Sequence, residues 1–226
     1  DSTRYFETMP ADKIDLALRL EADRMTNSIF DAKEVASERT VIISEREGSE
    51  NEPMFRLSEA MQNYAFRVHP YHHEIIGDMA DLRTITRDDL YNHYRTYYVP
   101  NNAVLAIAGD FETKSMLKRV KELFEPIPKG LTPPRLARPE PPQNGELRFS
   151  VDGPGETTFM QIAYHFPNAT DPDYFPLQVL DSLLNGVSGL SYKTSRLYRA
   201  LVDKGYAVDA SCYSDASIDP YLYRIT

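Results

Sequence analysis

After Pro10, apolar side chains at Ile14, Ala17, Leu18 and Met25 recur at helical spacing, and a proline suits the first turn of the helix they predict. A second helix is predicted from about Asp31, a good N-cap, to near Ser49. Pro53 opens a third, carrying Phe55, Leu57, Met61 and Tyr64. His69 to Gly77 reads as a loop, and Thr86 caps a helix rich in tyrosine (Tyr91, Tyr94, Tyr97, Tyr98). Pro100-Asn101-Asn102 then turns the chain into Ala103-Val104-Leu105-Ala106-Ile107-Ala108, an unbroken apolar run that predicts a fully buried strand ended by Gly109. One more amphipathic helix is predicted over roughly Glu112 to Phe124.

The pattern changes next. Seven of the 16 prolines fall between Pro126 and Pro142, the composition of a stiff linker rather than of packed structure. Beyond it come strands at Leu147–Val151 and Thr158–Phe166, helices near Pro172–Leu184 and Thr194–Asp203, and a closing pair of strands. Alternating patterns at both ends, Asp1–Thr8 and Tyr221–Thr226, predict a strand at each and suggest a piece of something longer. Both sides of the linker mix helices with strands. The expected fold class is therefore α+β, with helices packed on mostly antiparallel sheets, and the expected division is 1–125, a linker over 126–145, and 146–226.

Composition narrows the function. With 226 residues the chain has room for two domains, and its 42% hydrophobic content can build cores. A net charge of -9 argues against a nucleic-acid surface. No apolar run approaches the roughly 20 residues that span a bilayer. The single cysteine, Cys212, excludes an intrachain disulfide and a Cys-based zinc cage.

The chemistry concentrates on the second helix. Glu38 and Glu45 are seven residues apart and project within about 20° of each other, flanked by Val41 and Ile42 and bordered by Val35. Carboxylates in an apolar stripe call for a cation, a metal or good donors. The same spacing also suits a solvated face, since Glu34, Glu47, Glu50 and Glu52 crowd this stretch. His69, His72, His73 and Glu74 cluster in a proline-bearing loop that does not readily converge on one ion, and His93 and His165 are single histidines suited to packing. Cys212 reads as a small core residue, and the glycines at 186 and 189 lack a phosphate-binding pattern.

A resemblance carries further. Glu38-Arg39 followed by Val41-Ile42-Ile43-Ser44-Glu45 resembles the segment of M16 (pitrilysin/insulinase-type) zinc peptidases that supplies the third zinc ligand. Leu20-Glu21-Ala22-Asp23-Arg24-Met25, His69-Pro70-Tyr71 with Ile75-Ile76-Gly77, Tyr98 through Phe111, and Ser195 through Leu201 resemble further family segments in the same order. The chain is most similar to the bacterial processing-protease-like branch. The resemblance implies M16-type domains, two homologous and both incomplete: 1–125 the remainder of a catalytic-type domain, and 146–226 the first part of an inactive one. It implies Glu45 as a ligand of Zn2+ and Glu38 as the carboxylate supporting the site.

In that family an inverted His-x-x-Glu-His motif supplies two ligands and the general base. That motif occurs nowhere in the chain and, with only 44 residues ahead of Glu45, is expected before Asp1. The helix after Asp171, in the corresponding place of the second domain, reads Leu177-Gln178-Val179-Leu180-Asp181-Ser182, with no ligand pair. Arg199 and Tyr206 echo a substrate-gripping pair of some relatives, but the register places Val202 and Val208 at those positions. The implied parent is a zinc endopeptidase acting on peptides or unfolded protein in a chamber between two halves. Its partners would be the missing N-terminal segment and a second M16 half or homologous subunit. The alternative is a non-catalytic M16 homologue serving as a scaffold or partner subunit.

Overall fold

Thr86 shows how directly sequence sets local structure in this protein. Its hydroxyl accepts from the Asp89 N–H, and the Asp89 carboxylate accepts from the Thr86 N–H in return, closing a capping box at the start of a helix. The computed structural model describes residues 2–134, 138–153, 155–186 and 192–226. Their helices are α1 (Ile14–Asn27), α2 (Ala32–Ser49), α3 (Pro53–Ala65), α4 (Met79–Thr84), α5 (Arg87–Tyr97), α6 (Thr113–Phe124) and α7 (Tyr174–Asn185). The strands are β1 (Ile162–Phe166), β2 (Cys212–Ser214) and β3 (Tyr221–Ile225), and a short π-helical turn covers Tyr198–Val202. The class is α+β.

The chain forms two compact units, one from Ser2–Ser44 and Met79–Ala137, the other from Glu45–Asp78 and Arg138–Thr226. Helix α2 contributes Ala32–Ser44 to the first and Glu45–Ser49 to the second.

In the first unit, Leu18 of α1, Tyr94 of α5 and Met116 of α6 are buried. The Tyr94 hydroxyl donates to the Arg24 carbonyl at 2.9 Å and accepts from the Ser28 N–H at 3.3 Å, so a buried phenol finds polar partners at the end of α1. Phe30 takes the left-handed conformation (φ 54°), and Arg87 holds the turn by donating to the carbonyls of Phe30 and Ile29 at 2.9 and 2.8 Å. Asp15 of α1 meets Arg119 of α6 at 2.5 Å.

In the second unit, β3 is the central strand of an antiparallel sheet ordered β1-β3-β2, with Tyr164 opposite Tyr223 and Cys212 opposite Ile225. Phe166, Cys212 and Tyr223 form its core, with Leu177 and Leu184 of α7 packed against them. Phe66, just past α3, is 2% exposed and stacks on Tyr221 at 5.7 Å.

The proline-rich stretch is anchored separately to each unit. Gly130 donates its N–H to the Asn101 side chain at 3.0 Å, and a Cβ there would lie 2.3 Å from Val99, so the position needs glycine. Glu140 binds backbone after α3, as described below. Residues 135–137 of the predicted linker lie outside the described residues.

Three predicted strands do not form. Ser2–Thr8, Ala103–Ala108 and Leu147–Val151 carry no strand, and Thr158–Phe166 shortens to Ile162–Phe166. An apolar run specifies a strand only when another strand completes its hydrogen-bond ladder, and among the described residues none pairs with these segments. Val104 is accordingly 95% exposed. The sheet of the described residues therefore belongs to the second unit alone.

Candidate metal-ligand helix

Helix α2 begins where Asp31 accepts from the N–H groups of Lys33 and Glu34, at 2.9 and 3.3 Å. Its inward positions are Val35, Arg39, Ile42 and Arg46, spaced three or four residues apart. Arg39 donates to the Ile85 carbonyl at 2.7 Å. Arg46, 5% exposed, donates from Nε to Glu50 at 2.9 Å, from one Nη to Glu59 and from the other to the Gly77 carbonyl, with its guanidinium 4.9 Å from the Phe55 ring. Burial works against this cation, but hydrogen bonds and charge from Glu50 and Glu59 outweigh it and raise the Arg46 pKa.

Glu38, Val41 and Glu45 lie beside that line on an exposed face, with Val41 56% exposed. The carboxylates therefore do not sit inside a buried stripe, as their flanking apolar residues suggested. Arginine explains the difference: the long stems and planar heads of Arg39 and Arg46 fill the inward line by reaching acceptors, so the apolar stripe is interrupted by cations rather than by Glu38 and Glu45. Sequence reasoning missed Arg46, although the Arg46/Glu50 spacing of four is a visible signal.

The exposed face carries two carboxylates, Glu38 and Glu45. Each side chain offers an anionic oxygen donor of a type zinc accepts, and among the described residues neither carboxylate has an ion-pair partner competing for it. Glu45 thus fits as one ligand of a centre. It does not make a centre by itself: among the described residues no group of three His, Cys, Asp or Glu side chains is placed to hold a metal ion.

The other sequence candidates take packing roles. His69 is buried; its Nδ1 accepts from the Tyr71 N–H at 3.1 Å, which leaves the Nε2 proton toward Asp219, 3.5 Å away. His72 and His73 contact each other edge to face, His93 lies against Tyr97, and His165 meets the edge of Phe66. Burial raises the Glu74 pKa first of all, with Arg224 pulling the other way. Cys212 is 1% exposed and donates to Asp181 at 3.3 Å; burial pushes its thiol up to about 11, which makes it an inert core residue. On α7, Gln178 reaches Ser214 and Asp181 accepts from the Tyr223 hydroxyl, so the polar residues of that helix tie it to the sheet. Tyr206 is 79% exposed. Gly186 ends α7 at φ 89°, whereas Gly189 lies outside the described residues.

Comparison with known proteins gives the family. The family model described as "Peptidase M16 inactive domain" matches residues 84–226, a stretch that leaves out Glu38 and Glu45. A "Zinc protease PqqE" of Helicobacter pylori is 31% identical over 90% of this chain and 46% of its own length. A "Probable mitochondrial-processing peptidase subunit beta" of Arabidopsis thaliana is 29% identical over 81% of this chain and 35% of its own. The chain thus spans about half the length of the curated relatives it matches, from 32% to 55%. The crystal structure of a protease from Helicobacter pylori superposes with a TM-score of 0.83 at 26% identity, covering 96% of this chain and 52% of that one. A family match over most of the sequence, together with the shared fold, shows that this chain belongs to the M16 peptidase family.

Proposed function

We propose that this chain is part of a zinc-dependent endopeptidase in which Glu45 is the third zinc ligand and Glu38 the supporting carboxylate. The observation that carries the reading is the exposed face of α2, where both carboxylates stand without a competing cation among the described residues, in a chain of the M16 family. Bound zinc would supply Lewis acidity toward a peptide carbonyl and a water activated near neutral pH.

The chain's own residues set the rest. Glu45 supplies one anionic oxygen. Glu38 lies about 10 Å earlier along the helix axis, too far to share the same ion readily, which suits it to hold the ring N–H of a histidine ligand. Both histidines and the general base come from residues outside these 226. In this reading 1–125 is the remainder of the catalytic-type domain, 126–145 a linker, and 146–226 the start of an inactive domain that walls a peptide chamber. The substrate is a peptide or unfolded protein added as an extended strand, and the second wall is another M16 half or a homologous subunit.

The test compares the 226-residue chain with the full-length protein on an unstructured peptide, together with zinc content. Only the full-length protein should hold zinc and cut. Turnover by the shorter chain overturns the reading, and so does a full-length protein that retains no zinc.

A further inference from the structure

Three successive backbone N–H groups after α3 converge on one side chain. Arg67 donates to Glu140 Oε1 at 2.8 Å, and Val68 and His69 donate to Oε2 at 3.0 Å each. These amides follow the last turn of α3, where Phe66 N–H returns to the Gln62 carbonyl, and they take part in neither helix nor sheet. Three converging peptide dipoles form a concave anion-binding nest, the arrangement by which backbone alone recognises a carboxylate or phosphate. Glu140 fills it with both oxygens used.

The surroundings give the contact a purpose. Pro139, Pro141 and Pro142 flank Glu140, so this part of the chain is stiff and short of N–H donors of its own. The next residues lie along a groove of about 190 Å³ lined by Tyr64, Arg67, Glu140, Gln143 and Leu147, and Phe149 stacks on Tyr64 at 4.6 Å. Partial burial works against the Glu140 carboxylate, yet the three N–H donors and the Arg67 charge outweigh it and lower its pKa.

We infer that the Arg67–His69 backbone is a carboxylate-binding site whose resident ligand is Glu140, and that this contact is a strap fastening the proline-rich segment to the end of α3. The recognition resides in the main chain, so a small free carboxylate takes the same place once the Glu140 side chain is removed.

Hydrogen exchange in the full-length protein tests this, with Glu140→Ala as the variant and acetate as the probe. In wild type the amides of residues 67–69 are protected. In Glu140→Ala they exchange roughly tenfold faster or more, residues 143–147 loosen with them, and acetate restores protection at 67–69 while chloride at equal ionic strength does not. Restoration at 67–69 without recovery at 143–147 is the expected signature, because acetate fills the nest but carries no strap. Unprotected amides in wild type, unchanged rates in the variant, or no effect of acetate would each overturn the inference. Should Glu140→Ala fail to fold, Glu140→Gln carries the same comparison, since a neutral amide oxygen satisfies the nest only in part.

Discussion

Arg224, near the end of β3, donates from Nη2 to Gln62 Oε1 on α3 at 2.6 Å, and that same oxygen accepts from the Tyr221 hydroxyl at 2.9 Å. Arg224 is 7% exposed and Gln62 5%, so one amide oxygen accepts from a buried cation and a phenol together. The same Nη2 also donates to the Tyr221 hydroxyl at 2.6 Å and Nη1 to the Tyr213 hydroxyl at 3.3 Å, the Tyr221 ring lies 5.3 Å away, and Glu74 feels the charge. Helix α3 is joined to the sheet through this pair as much as through the Phe66 stack.

Replacing Gln62 by Leu keeps the volume and removes the acceptor. It should cost about 1–3 kcal/mol, because a buried guanidinium loses an acceptor and keeps the Tyr221 and Tyr213 hydroxyls, whereas Gln62→Glu, which keeps an acceptor and adds a counter-charge, should lose far less. Urea unfolding of the full-length protein measures both; equal losses would show that packing, not the acceptor, sets the cost.

Arg46 predicts a second large effect. Truncation to Met should destabilise by about 3–5 kcal/mol, since Glu59 and Glu50 lose the partner that offsets their partial burial. Arg46→Lys should recover only part of this, as an ammonium cannot reach Glu50, Glu59 and the Gly77 carbonyl at once. A Lys variant as stable as wild type would contradict the fork geometry.

Glu21 gives a pH dependence. Burial first, and then a hydrogen bond shared with Glu7, push its pKa from 4.5 up to about 6 against the pull of Arg24, which lies 2.7 Å away. Arg24 also sits 3.6 Å from Glu7 and over the Tyr5 ring at 4.3 Å, so the cluster holds the segment before α1. A carboxyl whose folded pKa is raised contributes stability that is complete below the unfolded value and lost as pH rises through the folded one. The segment should therefore loosen between about pH 4.5 and pH 6. Carbon-detected NMR of the glutamate carboxyls should place the Glu21 midpoint there, and Glu7→Gln should lower it. A midpoint at an ordinary glutamate value would remove the basis for the dependence.

Glu45 and Glu38 should fail differently in the full-length protein. Glu45→Gln exchanges an anionic ligand for a neutral amide, so zinc content and cleavage should fall together. Glu38→Gln removes support only and should cost about 10–100-fold, partly recovered by excess zinc. Both variants should fold alike, as their side chains are exposed on one helix. Wild-type zinc binding by Glu45→Gln would end the ligand assignment.

Local signals in the sequence were dependable where one side chain decides the outcome. Asp31, Pro53 and Thr86 each start the helix expected of them, because a cap or an N-terminal proline acts within a single turn. Glu112 does the same for α6 by accepting from Lys114 and Ser115. Segments whose structure depends on distant partners were not legible. Ala103–Ala108 has the composition of a buried strand, yet composition carries no information about which strand lies alongside. On α2 the spacing leaves a buried stripe and a solvated face both open, and polarity alone does not choose between them, because Arg46 is buried through acceptors that come from Glu50, α3 and the turn at Gly77. Glu140 gave no signal at all, since a carboxylate that binds backbone needs no matching side chain.

The uncovered run Ala103–Ala108 has a consequence for handling the protein. It holds no charge and no proline, and five of its six side chains are largely open to solvent. Short, uncharged, β-prone segments of this kind template onto one another between molecules, and each added copy gains a full set of main-chain hydrogen bonds. Self-association of the 226-residue chain through this run should therefore rise with concentration. One lysine at Val104, which is 95% exposed and loses little packing, would act as a gatekeeper and raise the concentration at which the chain stays dispersed.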